Sequence, residues 1–158
     1  MYDIRDVLSK GIEVAKKKRA IYEKIKENSG DVRVRMMVQV MIIAVDTDIK
    51  HYQNMIANIT DEMAEAIDFG TYDKISSLVN QFSRLFTAPQ IRDRKILLDY
   101  AIEIEKSIYA LLVDIKGRLV TSELITSSIS YYVLIEMIET KQAFITELEA
   151  FKQIQNTT

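Results

Sequence analysis

One stretch limits what this chain can fold into. From Val34 through Val38, Met41, Val45, Asp48, Tyr52 and Met55 to Ile59, the positions advance by alternating steps of four and three residues, the spacing that keeps side chains on one face of an α-helix packed against other helices. A helix from about Val32 to Thr60 is roughly 45 Å long at 1.5 Å per residue, the scale of a helical bundle. Inside the stripe Asp48 stands where a hydrocarbon is expected, and His51, the only histidine of the chain, follows one turn later. An ionised carboxylate is costly to bury without a partner, so the pattern asks for a cation, a proton or a hydrogen-bonding network opposite Asp48.

The rest of the chain reads in the same period. A first helix from about Asp3 to Asn28 has its apolar positions at Ile4, Leu8, Ile12, Ala15, Tyr22 and Ile25, and Ser29-Gly30-Asp31 then offers a C-terminal glycine and an N-capping aspartate, so the first two helices form a tight hairpin. The run Lys16-Lys17-Lys18-Arg19 reads as a solvated face, because four consecutive residues fan around most of a helix. Over residues 61–88 the pattern weakens, with Gly70-Thr71 as a break and a shorter helix over 72–86. Thr87-Ala88-Pro89-Gln90 has capping-box spacing with proline just inside the start, so a third long helix is expected from there to about Lys116, closed by Gly117. The fourth is expected from Thr121 or Ser122 to about Gln153, leaving 155–158 as a polar tail. The expectation is one all-α domain over 1–158: a hairpin at 3–60, a crossover at 61–88 with its own short helix, and a hairpin at 89–153. Two short-turn hairpins joined by one long connection describe a four-helix bundle. A five-helix bundle in which 72–86 is an equal member is the other arrangement this pattern allows.

Composition narrows the chemistry. Hydrophobic residues make up 48% and charged residues 28% of the 158, with only four glycines and one proline, a balance suited to a compact helical protein. A net charge of -2 gives no strong attraction to nucleic acid. The longest apolar run, Met41-Ile42-Ile43-Ala44-Val45, is too short to span a bilayer. Without cysteine there are no disulfides, thiolate zinc sites, iron–sulfur ligands or cysteine nucleophiles, and the expected location is the cytoplasm. Tyr22, Tyr52, Tyr109, Tyr131 and Tyr132, like Met36, Met37 and Met41, are expected to fill the core.

Sliding the second half over the first by 90 residues sets Ile12-Glu13-Val14-Ala15-Lys16 on Ile102-Glu103-Ile104-Glu105-Lys106, and a shift of 91 sets Asp48-Ile49-Lys50-His51 on Glu139-Thr140-Lys141-Gln142. The hairpin reads as an internal repeat. Glu105 interrupts the stripe Leu98, Ala101, Ile108, Leu112, Ile115, and Glu139 lies between Ile135 and Ala143. Carboxylates meeting in a core cannot all ionise without a cation. Unless a metal supplies it, either Glu105 or Glu139 is protonated or a base such as Lys106 or Lys141 swings in.

An acid on the first helix of a hairpin and an acid-x-x-His pair about a helix later, with the hairpin duplicated, resembles the ferritin-like superfamily. The segment Ala101-Ile102-Glu103-Ile104-Glu105-Lys106 looks most like its rubrerythrin-related branch. That resemblance implies a carboxylate-bridged di-iron or di-manganese centre in the bundle core, held by two glutamates and two Glu-x-x-His pairs. Carried onto this sequence, the six positions are Ala15, Asp48, His51, Glu105, Glu139 and Gln142. Alanine has no donor atom, glutamine is a weak neutral ligand, and Asp48 is one methylene shorter than glutamate. The resemblance therefore implies a partly lost site, with Asp48, His51, Glu105 and Glu139 left to hold one iron, manganese or zinc ion rather than a dinuclear iron centre. A metal-handling or redox role follows, with an external electron donor. A non-catalytic helical bundle that serves interaction or structure and binds no metal is the other expectation. A homodimer fits either, since long amphipathic helices commonly pair.

Overall fold

The computed structural model describes residues 1–119 and 128–157. They form five helices: α1 (Ile4–Asn28), α2 (Val32–Asn58), α3 (Phe69–Leu85), α4 (Arg94–Leu119) and α5 (Ile129–Thr157). Among the described residues there is no strand, only one isolated bridge between Tyr2 and Ile67, and no helix is long and apolar enough to cross a membrane. The chain divides into two compact units, Met1–Gln90 and Ile91–Thr158.

In the first unit, α1 and α2 form an antiparallel hairpin whose ends are fixed by aspartates. Asp3 caps α1 by accepting from the Arg5 amide at 2.8 Å, while Asp6 accepts from the Asp3 amide at 2.9 Å. Asp31 caps α2, accepting from the Arg33 amide at 2.8 Å. Each cap satisfies amides that the first helical turn leaves without a carbonyl. The helices are cross-linked at a constant register, from Arg5 donating to the Ile59 carbonyl at 3.3 Å, through Arg19 to Asp46 at 2.7 Å, to Lys26 donating to Gln39 at 2.6 Å. Along the hairpin the apolar positions Ile4, Leu8, Ala15, Tyr22 and Ile25 of α1 and Val34, Val38, Met41 and Val45 of α2 are all buried. The turn itself is not closed by a left-handed glycine. Ser29 is the extended C-cap of α1, and no described glycine has positive φ.

The third helix lies against α1, with buried Ile75 and Val79 and with Tyr72 stacked on Tyr2 at 3.8 Å between ring centroids. It starts earlier than the periodicity suggested. Asp68 accepts from the Thr71 amide at 2.9 Å and from its hydroxyl at 2.7 Å, so Gly70-Thr71 lies in the first turn of α3 instead of breaking the chain.

The second unit is the α4 and α5 hairpin. Its first helix begins at Arg94 rather than in Thr87-Ala88-Pro89-Gln90, because Asp93 takes the cap and accepts from the Ile96 amide at 2.9 Å. A carboxylate immediately before the apolar stripe outcompetes a threonine six residues upstream. At the other end α4 passes through Gly117 to Leu119, so that glycine sits inside the last turn and does not terminate it. The start expected at Thr121 or Ser122 lies outside the described residues. Ser128 accepts from the Tyr131 amide at 3.2 Å at the head of α5, and the helix continues to Thr157, past the end expected at Gln153.

Burial corrects three expectations about side chains. Lys18 is 4% exposed although its neighbours Lys16 and Lys17 are solvated. Three- and four-residue steps from Ala15 to Tyr22 pass through position 18, which places it in the core face. Met36 and Tyr132, expected inside, are exposed. Met36 lies two residues from both Val34 and Val38 and so points away from them.

Two measurements test this account. An alanine Cβ at Gly117 would meet nothing within 4 Å, so Gly117→Ala is expected to raise stability by about 0.5–1 kcal/mol, read by urea unfolding. Hydrogen bonding to Arg5 holds the Asp3 carboxyl below its ordinary value. The unfolded chain then binds the extra proton, so this stabilisation is complete above about pH 4 and is lost as the pH falls through the lowered folded value. Asp3→Ala should cost about 1–2 kcal/mol at pH 7 and progressively less below pH 4.

Candidate functional site

The acid that interrupts the α4 stripe is the most deeply buried charge among the described residues of the second unit. Glu105 is 1% exposed, flanked on its own helix by buried Ala101, Ile104 and Ile108. Facing it from α5 is Lys141, 5% exposed, whose Nζ lies 2.6 Å from Glu105 Oε2. Of the ways to neutralise a buried Glu105, this is the one the structure shows: Lys141 swings in. Lys106, the other candidate base, instead reaches Glu149 at the surface, at 2.7 Å. The Lys141 ammonium also lies 5.9 Å from the centre of the Phe144 ring, whose face attracts a cation.

Burying Glu105 fixes one face of α4, and burying Lys141 fixes one face of α5. Glu139 is two residues from Lys141 and therefore about 160° away around the helix. It is exposed, as is Gln142. Asp48 and His51 both lie on α2 in the first unit. Asp48 is half-buried at the margin of the stripe, and three further residues carry His51 about 60° beyond that margin. The imidazole is exposed, 6.3 Å from the Tyr52 ring centre. Thus Glu105 alone of the four expected ligands is deeply buried. Among the described residues no three His, Asp or Glu side chains are grouped to hold a metal ion.

Electrostatics decide what the Glu105 pair can do. Transferring either ion alone out of water costs several kcal/mol, and only close contact between them offsets this. Such a pair is a rigid internal strut, poorly suited to exchanging a proton or admitting a ligand unless the contact opens. The groove on the outer side of α4, lined by Asp99, Ile102, Glu103, Lys106, Ser107 and Lys152, is shallow and open. It is crossed by the 2.6 Å link between Lys152 and Asp99. A feature with no advance signal in the sequence is Tyr100, whose enclosed hydroxyl has no hydrogen-bond partner among the described residues. Burial, then the nearby Glu103 carboxylate, pushes its pKa up to about 12.

A double-mutant cycle reads the strength of the core pair. Lys141→Met strands a buried carboxylate and should destabilise by about 3–5 kcal/mol, as should Glu105→Leu by stranding the ammonium. The double variant Glu105→Leu/Lys141→Met should recover most of the loss; a loss equal to the sum of the singles would show that the two groups do not stabilise each other.

No protein-family model, curated protein or solved structure matches this chain, so its function is read from its own residues.

Proposed function

We propose that this chain is a ferritin-like, rubrerythrin-related helical bundle in which a lysine ammonium takes the part of the metal, and that it acts as a non-catalytic interaction protein of the cytoplasm. The observation that carries this is the 2.6 Å contact between Lys141 and Glu105. In a carboxylate-bridged centre the cation that neutralises the core acids is the metal ion. Here the positive charge belongs to the chain itself.

The residues do not fit a dinuclear iron centre. Ala15, at the ligand position of α1, has no donor and is buried among apolar neighbours. Glu105 is engaged by Lys141, while His51, Glu139 and Gln142 are exposed. Burial also favours a different repeat register in the second helices. Val34, Val38, Met41 and Val45 of α2 match Ser130, Leu134, Met137 and Lys141 of α5, all buried. In that register Lys141 stands where α2 has Val45, and Asp48 corresponds to half-buried Phe144 rather than to Glu139.

Metal content tests the proposal. Purified protein is expected to contain less than about 0.1 equivalents of iron, manganese or zinc, and its melting temperature should move by less than about 1 °C when any of these is added in excess, since a ligand that binds only the folded state must raise it. About one equivalent of metal, lost in His51→Ala, would replace this proposal with the metal-handling role, for which a redox cycle needs an external electron donor.

A further inference from the structure

The third helix is the least secured element of the first unit. About half of its 17 residues are Gly, Thr, Asp, Ser, Asn or Val, types that lose freedom in a helix or hydrogen-bond the backbone in other conformations. A helix of this length and composition is marginal on its own in water, so α3 forms because it is docked. The docking is thin. The buried side chains of α3 are Ile75 and Val79, one turn apart, where α1 buries nine and α2 five, and α1 is the one helix of the first unit it packs on. Its charged side chains, Asp73, Lys74 and Arg84, make no ion pair among the described residues.

A further tie comes from ahead of α1. The Tyr2 carbonyl accepts from the Ile67 amide at 2.7 Å, immediately before the Asp68 cap of α3. The Tyr2 ring stacks on Tyr72 with the two planes 10° apart, and Phe69 tilts against the same ring at 6.3 Å between centroids. Burial raises the pKa of the Tyr72 hydroxyl, and the nearby Asp6, Tyr2 and Glu13 add to the shift, so the aromatic pair lies against the first turns of α1. On either side of α3 the chain is non-helical, over 59–68 and 86–93, and these connectors let the helix leave without bending α2.

We infer that α3 is a releasable element latched by Tyr2: it undocks from α1 and melts while the hairpin of α1 and α2 stays folded, and the Tyr2 contacts set how often this happens. The two steps are coupled, because a helix that forms only when docked loses its backbone hydrogen bonds once the docking fails. The hairpin is not part of the event. Its caps at Asp3 and Asp31 and its cross-links from Arg19 to Asp46 and from Lys26 to Gln39 involve no residue of α3. Release bares Ile75 and Val79 together with the surface of α1 that they cover, an apolar patch hidden while the latch is closed. The inference concerns the first unit and does not depend on whether Lys141 stands in for a metal.

Native-state amide hydrogen exchange of the full chain, read by mass spectrometry on its peptides, tests the latch. In the parent, amides of 72–85 should exchange at least about tenfold faster than those of 34–45 in α2, the mark of a segment that opens below the global unfolding free energy. Tyr2→Ala should speed 72–85 by a further factor of roughly ten and leave 34–45 unchanged, whereas Tyr2→Phe, which keeps the stacked ring, should match the parent. Ile75→Ala, which weakens the docking from the side of α3, should give the same selective increase. Exchange of 72–85 at the rate of 34–45 in the parent overturns the inference, since α3 would then open only with the whole unit. So does Tyr2→Ala that speeds both segments equally, which would make Tyr2 a support of the hairpin. A Tyr2→Ala variant with 72–85 unchanged, beside an Ile75→Ala variant in which it is faster, overturns the latch as well, because the hold on α3 would then lie in its aliphatic contacts alone.

Discussion

The contact between Glu105 and Lys141 constrains the second unit more than any apolar neighbour does. Hydrophobic burial is non-directional, and a pair of stripes rich in Leu, Ile and Val tolerates small rotations and slips of one helix along the other. An ion pair in the same interface does not. If α5 rotates or slides by a residue, both charges lose their partner in a medium that solvates neither, and the penalty is several kcal/mol. The pair therefore adds little net stability while excluding other registers, much as a buried polar residue does in a coiled coil. At the outer edge of the same hairpin, Lys106 with Glu149 and Lys152 with Asp99 follow the register the core pair sets. Being exposed, these two contribute little themselves.

The first unit solves the same problem with its ends. Arg5 donates to Asp3 at the head of α1, to the Ile59 carbonyl at the foot of α2, and to Asp61 beyond it. One guanidinium thus joins the cap of one helix to the cap of the next, and its planar set of donors lets it serve three acceptors at once. The bridge from Tyr2 to Ile67 and the stacking of Tyr2 on Tyr72 extend the tie to α3. The segment between α2 and α3 is thereby held by the N-terminal residues, with no long hydrophobic stripe of its own.

How much of this was legible follows from what each signal measures. The limits of α1 and α2 were readable because Asp3 and Asp31 stand directly before strong apolar periodicity. The starts of α3 and α4 were not, because several capping residues compete in the segments before them, and a carboxylate nearer the stripe wins over a motif match such as Thr87-Ala88-Pro89-Gln90. Glu105 was visible as a charge in a run of hydrocarbon, and Lys141 as one of two bases able to reach it. The choice between Lys106 and Lys141 depends on which way α5 turns, and sequence identity misleads there. Aligning Lys50 with Lys141 matches like residues, but Lys50 is solvated and Lys141 is buried. His51 shows the same limit. Three residues is close to a full turn, yet the remaining 60° is enough to carry a side chain from the margin of a core into solvent. Lys18 errs in the opposite direction, because a run of four bases hid a position that belongs to the apolar face.

The first half of α2 joins these observations. From Val32 to Val45 it is hydrophobic on both sides, with Val34, Val38, Met41 and Val45 inward and Val32, Met36, Val40 and Ile43 outward. A helix that needed only to cover α1 would be polar on its outer face, as α1 itself is at Lys16 and Lys17. Helices apolar all round are characteristically buried on all sides. Leaving such a face in water while two arginines crowd its positive end is unfavourable on both the hydrophobic and the electrostatic count. The charge within the second unit is neutralised internally by Lys141, whereas the charge at the head of α2 finds no partner within the described residues.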